Sequence, residues 1–431
     1  MPMPISDAAH LLRRAGFGGS TTEIAALAAL DRAAAVDRLL NATGLPDTPP
    51  AILADATKGD YEKILVLIQD WIQRMATSPS PLQEKMTFFW HGHFVSGYVK
   101  TDSISQMYDQ IVFYRANALG DFRTLTQGMA IQVAMLRYLD GDSNSKRHPN
   151  QNFARELLEL FTLGIGNYAE SDVIEGARAW SGYNVADDGS AFQFKAANHD
   201  TANKTIFGIT KNWDGPTEID EILLGSKQST MARYIAGKLW SFFAHPNPPA
   251  GVVDALAQAF IAGGLQIKSV LRALFLRDEF YATSAKQGLV RTPVELAVAA
   301  VRGLKVPTSE LDLQWHLSNQ GQEPYNPPNV AGWKQNGYWI STSEVAARAA
   351  FAAHVLDRAN DQRLIPDFTK KALDAAVLGA FDTFAVATPS PTTKAAVTGW
   401  LDGVRKATDY FGDPNYDLLF LVLMSPDLVV A

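Results

Sequence analysis

The sequence predicts a mainly α fold: one large multi-helix domain over residues 1–431, with long polar and aromatic loops and at most one small β-ribbon. Three observations predict it. Apolar residues recur at helical spacing along most of the chain. Period-two alternation is nearly confined to one short stretch. The balance of 47% apolar to 19% charged residues is that of a chain with a packed interior, not a disordered one.

The elements follow in order. Ser20-Thr21-Thr22-Glu23 has capping-box spacing, and Ile24, Leu27 and Ala28 continue on one face. Asp31–Leu40 repeats the pattern, and Tyr61–Met75 is a longer amphipathic run that stops at Ser78-Pro79-Ser80-Pro81. Pro81 opens a helix through Leu82, Met86, Phe89 and Trp90. Further helices are expected over 103–119, 121–140, 151–163, 171–180, 229–243, 252–262, 267–277, 293–304, 342–360, 370–380 and 392–408. Tyr183–Val185 and Phe192–Lys195, flanking Asp187-Asp188-Gly189, read as the hairpin. Two stretches, 184–218 and 319–341, read as long loops, and their aromatic content argues for order and function. The first marks the only weak place to divide the chain, near 184–225.

Composition excludes several classes. With 38 basic and 45 acidic residues, net charge −7 and no basic tract, the chain has no footprint for nucleic acid. The most apolar run, Leu418–Met424, is far too short for membrane insertion. No cysteine means no disulfide, thiolate metal site or cysteine nucleophile. Met1–Asp7 has neither the cationic start nor the apolar core of a signal peptide, which leaves cytoplasm, periplasm and the extracellular space all open. Nucleotide-binding glycine motifs and Gly-x-Ser-x-Gly are also missing.

Several motifs stand in a specific order: His10-Leu11-Leu12-Arg13-Arg14-Ala15-Gly16-Phe17-Gly18, Phe89-Trp90-His91-Gly92-His93-Phe94, Asn150-Gln151-Asn152-Phe153-Ala154-Arg155-Glu156-Leu157-Leu158-Glu159-Leu160-Phe161-Thr162-Leu163-Gly164, Ala177–Tyr183, His199-Asp200 and Pro327–Trp333. Together they resemble the bacterial family catalogued as domain of unknown function 1800, over nearly the whole chain. The resemblance implies frequent export and no agreed activity. Where that family typically has Asn-Glu-Asn, this chain has Asn150-Gln151-Asn152, so a carboxylate at 151 is dispensable here.

On the 152–163 helix, Phe153, Leu157, Leu158, Leu160 and Phe161 cover one arc and Asn152, Arg155, Glu156 and Glu159 the other. Glu156 and Glu159 fall about 60° apart. An Arg155–Glu159 pair facing water is the plain reading; two carboxylates sharing acid and base roles is the functional one. His91 and His93 share a side only in an extended segment, where both can reach one metal; in a helix they diverge. His199-Asp200 is either a turn or a carboxylate and histidine on a closing loop. Tyr325, Trp333, Tyr338 and Trp339, interleaved with Gln320, Gln322, Asn326, Asn329 and Asn336, suit stacking on sugar rings and bridging of hydroxyls; the same mixture makes a rigid loop plugged by its tryptophans. Trp180 and Trp213 extend that surface or fill core.

The leading expectation is a hydrolase of a carbohydrate polymer, glycosidase-like, with Glu156, Glu159 and Asp200 catalytic. Its substrate-binding residues are His91, His93, Asn152, Arg155, His199, Tyr325, Asn329, Trp333 and Trp339, and it needs no cofactor. One alternative is a metal-dependent hydrolase or oxidoreductase holding a divalent ion on His91, His93 and Glu156. The other is a non-enzymatic carbohydrate-binding or envelope-assembly protein. In each the partner is a glycan or another hydroxyl-rich compound, with oligomeric state open.

Overall fold

The computed structural model describes residues 1–430. Apolar side chains from Met3 to Leu428 form one contiguous core, and helices supply most of it. The mainly α expectation holds because each predicted stripe finds a partner: Pro293–Leu304 packs on Asp60–Thr77, and Gln228–Phe243 on Ala250–Ala262. Local signals set the boundaries. The Ser20 hydroxyl caps Glu23 while the Glu23 carboxylate returns to the Ser20 N–H at 2.7 Å. Pro81 opens Pro81–His93. Val430 pairs with Val290, just ahead of the Pro293–Leu304 helix, which ties the end of the described chain to its interior.

Four expectations need correction. Residues 121–140 form two helices, Phe122–Ala130 and Val133–Tyr138, because Gln132 is extended between them. The 184–218 stretch is not one loop. It holds two antiparallel ribbons, β1 (Tyr183–Val185) with β2 (Phe192–Phe194) and β3 (Lys204–Ile206) with β4 (Ile209–Lys211), so "at most one" ribbon was too few. β3 and β4 join through Phe207-Gly208, both at positive φ, as a two-residue hairpin turn requires. A further helix, Gly215–Leu224, follows, with the Asp214 carboxylate capping Thr217.

The fourth correction concerns the signature helix. It is α-helical only over Asn152–Glu156 and continues as a π-helix over Leu157–Thr162, with the Leu163 N–H reaching back five residues to Leu158. Such wide turns concentrate at functional sites. Gly164 (φ +82°) ends the segment; a Cβ there would stand 2.9 Å from the Tyr234 ring. The widened turn leaves the carbonyls of Leu160 and Phe161 without helical partners, and side chains from two other helices satisfy them.

Candidate functional site

Those two carbonyls anchor a cavity of about 540 Å³ between the Pro81–His93 helix, the Gln228–Phe243 helix and the 319–341 loop. The Tyr234 hydroxyl donates to Leu160 O at 2.8 Å, and the His93 Nε2–H donates to Phe161 O at 3.0 Å. A carbonyl can only accept, so Nε2 carries the His93 proton and Nδ1 presents its lone pair. That lone pair faces the Lys238 Nζ at 3.4 Å. Burial, reinforced by the Lys238 charge, holds His93 well below the usual imidazole range and therefore neutral.

Lys238 is the unusual member. Burial lowers its ammonium to about 8, and no carboxylate pairs with it. The walls around it are Phe88, Phe89, Phe242, Tyr234 and Trp333, with Thr292 and Gln322 as polar points and Arg233 and Lys334 at the mouth. None of the lining residues is Asp or Glu. Trp333 stacks on Phe88 with centroids 5.2 Å apart. The indole lies against the helix at Gly92, where even a Cβ would be in ordinary van der Waals contact with it, 3.4 Å away.

The residues singled out from sequence divide. His93 and Trp333 line this cavity. His91 does not: in a helix it points away from His93, and its Nε2 accepts the Tyr325 N–H at 3.0 Å. Burial takes the His91 imidazole down to about 3. Tyr325 and Trp339 are 2% and 0% exposed, so they are plugs and not a sugar platform. Trp180 and Trp213 likewise fill core. Asn329 is exposed, its amide oxygen accepting the Ala331 N–H in a turn at 2.9 Å. Of the two geometries open to His91 and His93, the chain adopts the helical one, in which they diverge. Among the described residues, no group of three His, Asp or Glu side chains gathers to hold a metal.

The carboxylates do not converge either. Asp200 is bound by Arg178 Nε at 2.8 Å, and Arg178 also holds Glu175 at 2.7 Å. Burial alone would raise the Asp200 carboxyl, but this hydrogen bond and the Ala202 N–H keep it below the ordinary range. His199 donates from Nδ1 to Ser181 O at 2.7 Å, holding the loop. Arg155 pairs bidentately with Glu170 at 2.6 and 2.9 Å, replacing the expected Arg155–Glu159 pair. Asn152 donates to Asp140 at 3.0 Å. Glu159 accepts from the Tyr168 hydroxyl. Glu156 remains half-buried; burial first, then the Glu159 charge, pushes its carboxyl above the usual range. Neither Glu156, Glu159 nor Asp200 lines any of the three cavities of 540 to 620 Å³.

Lys238, Tyr234 and Phe242 went unnoticed in the sequence. A signal was present: a lone lysine at i+4 from one aromatic and i−4 from another, on a helix otherwise apolar on that side. What no spacing shows is that this face meets the π-helical carbonyls.

The chain matches the family described as Protein of unknown function (DUF1800) over residues 10–430 and belongs to it. No curated protein and no solved structure matches it. No helix among the described residues is long and apolar enough to cross a membrane.

Proposed function

We propose that the chain binds a small organic anion, a carboxylate on a flat apolar body, in the Trp333 cavity, with the Lys238 ammonium as its counter-charge beside the neutral His93. One observation carries the reading: an ammonium group in an aromatic-walled cavity with no carboxylate in its lining. A charge placed in such a wall needs a counter-charge, and the ligand is the remaining source. The aromatic faces bury the apolar body, and Lys238 anchors the anionic end. Because the Lys238 ammonium lies near 8, it loses its charge at the upper edge of the physiological range, so anion binding depends on pH there, and the neutral His93 adds no competing charge.

Calorimetry with phenylacetate as probe, and 2-phenylethanol as its uncharged counterpart, tests this. Phenylacetate is expected to bind at pH 7, weaken as pH passes about 8 and lose at least tenfold in Lys238→Met. Equal binding of the alcohol, or unchanged binding in Lys238→Met, would overturn it.

A second reading, hydrolysis of a carbohydrate polymer by Glu156 and Glu159, is favoured by the raised Glu156 carboxyl, which is shifted by burial and the Glu159 charge in the direction an acid catalyst requires. Reducing-sugar release from a panel of polysaccharides tests it. If Glu156→Gln retains the full release, that reading fails.

A further inference from the structure

The Arg13-Arg14 pair of the N-terminal signature takes no part in the Trp333 cavity. Arg14 is fully engaged with main chain, Nε donating to Phe243 O at 2.7 Å and Nη2 to Phe242 O at 2.8 Å. Lys85 is buried and ion-paired with Glu295. Arg291 is 3% exposed, yet its Nε and Nη2 meet no partner, and the Arg13 Nε is also buried without one. Arg13, Lys85, Arg291 and Glu295 enclose a single slot against Gly16 and Phe17.

The charges around this slot do not balance. Four cations (Arg13, Arg14, Lys85 and Arg291) surround the one carboxylate of Glu295; Asp427 acts only on Arg13, through space. Burial, and then the neighbouring cations, pull Arg291 down to about 9; burial, with Arg14 and Arg291, takes Lys85 to about 8 against the opposing pull of Glu295. Buried guanidinium donors without acceptors are rare, and each calls for an explanation. The slot has about 180 Å³ of interatomic space and no water-sized void. As it stands the slot is too tight even for water, so an ion of chloride size enters only if the Arg13 and Arg291 side chains, whose buried donors have no partners to hold them, move apart around it; a polyatomic anion would need still more room.

We infer that this slot is a binding site for a small inorganic anion of chloride size, held by the unpartnered donors of Arg291 and Arg13. The site has a structural consequence, because the Arg291 N–H also donates to Val429 O at 2.8 Å. Filling it joins the N-terminal signature, residues 291–295 and the chain's last described residues around one ion. It is independent of the Lys238 cavity.

The test is thermal unfolding of the full chain in sodium chloride and in sodium gluconate at matched ionic strength, so that screening is equal. Chloride is expected to stabilise saturably; at ten times the dissociation constant the folded-to-unfolded ratio rises about elevenfold over gluconate. Arg291→Met is expected to abolish that difference while remaining at least as stable as the parent in gluconate, since it removes an unpaired buried charge. Crystals of the unaltered protein grown in bromide are expected to show an anomalous peak between Arg291 and Arg13. Identical unfolding in both salts, a chloride increment that survives in Arg291→Met, or no bromide peak overturns the inference.

Discussion

Glu218 offers a prediction that can be worked from the structure. Its side chain is 0% exposed under the Glu170–Ala179 helix, where Oε2 accepts the Trp180 indole N–H at 2.8 Å and Oε1 has no partner. Burial, partly offset by the indole, pushes its carboxyl up to about 8, with the charge of Asp172 adding to the shift. The folded state therefore keeps a proton that the unfolded state releases near pH 4.5. Between those two values the folded chain binds more protons, so stability falls as pH rises, by about 1.4 kcal/mol per unit. At pH 7 the accumulated cost is roughly 3 kcal/mol, and it levels off above about pH 8. Glu218→Gln keeps the shape and the acceptor for Trp180 and removes the titration. Urea unfolding of both proteins at pH 5, 6, 7 and 8 is the assay. The variant should lead by about 1 kcal/mol or less at pH 5 and by roughly 3 kcal/mol at pH 7. Parallel stability curves across that range would show that Glu218 is ionised in the fold, and the burial argument would be wrong.

Other outcomes follow from the same geometry. Gly332 sits at φ +79°, and a Cβ there would fall on the Gly92 carbonyl, so Gly332→Ala should displace Trp333 and abolish phenylacetate binding in calorimetry. Trp339→Ala removes a fully buried indole and should cost about 3–5 kcal/mol in chemical denaturation; a loss below about 1 would place the ring outside the core. Breaking the buried Lys85–Glu295 pair with Glu295→Gln leaves the buried Lys85 ammonium among Arg14 and Arg291 with no carboxylate and should cost a similar amount, about 3–5 kcal/mol, whereas the double change Glu295→Gln with Lys85→Met should recover part of it.

Much of this protein was legible in its sequence. Periodicity, caps and prolines are local signals, so the helices at Thr21–Ala28, Asp60–Thr77, Pro81–His93 and Pro293–Leu304 stand where the residues predict them. The motif order placed the chain in its family before any coordinate was needed. The β3–β4 ribbon was legible too, in Thr205-Ile206-Phe207-Gly208-Ile209-Thr210, but a polar surrounding masked it.

The site was decided by tertiary structure. Glu156, Glu159 and Asp200 look alike as acidic residues in a signature, yet Asp200 is bound by Arg178, Glu159 by Tyr168, and only Glu156 keeps a raised carboxyl. Whether His91 and His93 can act together depended on one bit of backbone geometry, and the helix separated them. Lys238 became distinctive only once packing brought it to His93 and the π-helical carbonyls with no acid nearby. Helical propensity is a property of neighbours in the chain. The charge, tautomer and exposure of a side chain depend on what lies a few ångströms away in space, and residues 93, 160, 238 and 333 meet there only because the chain folds.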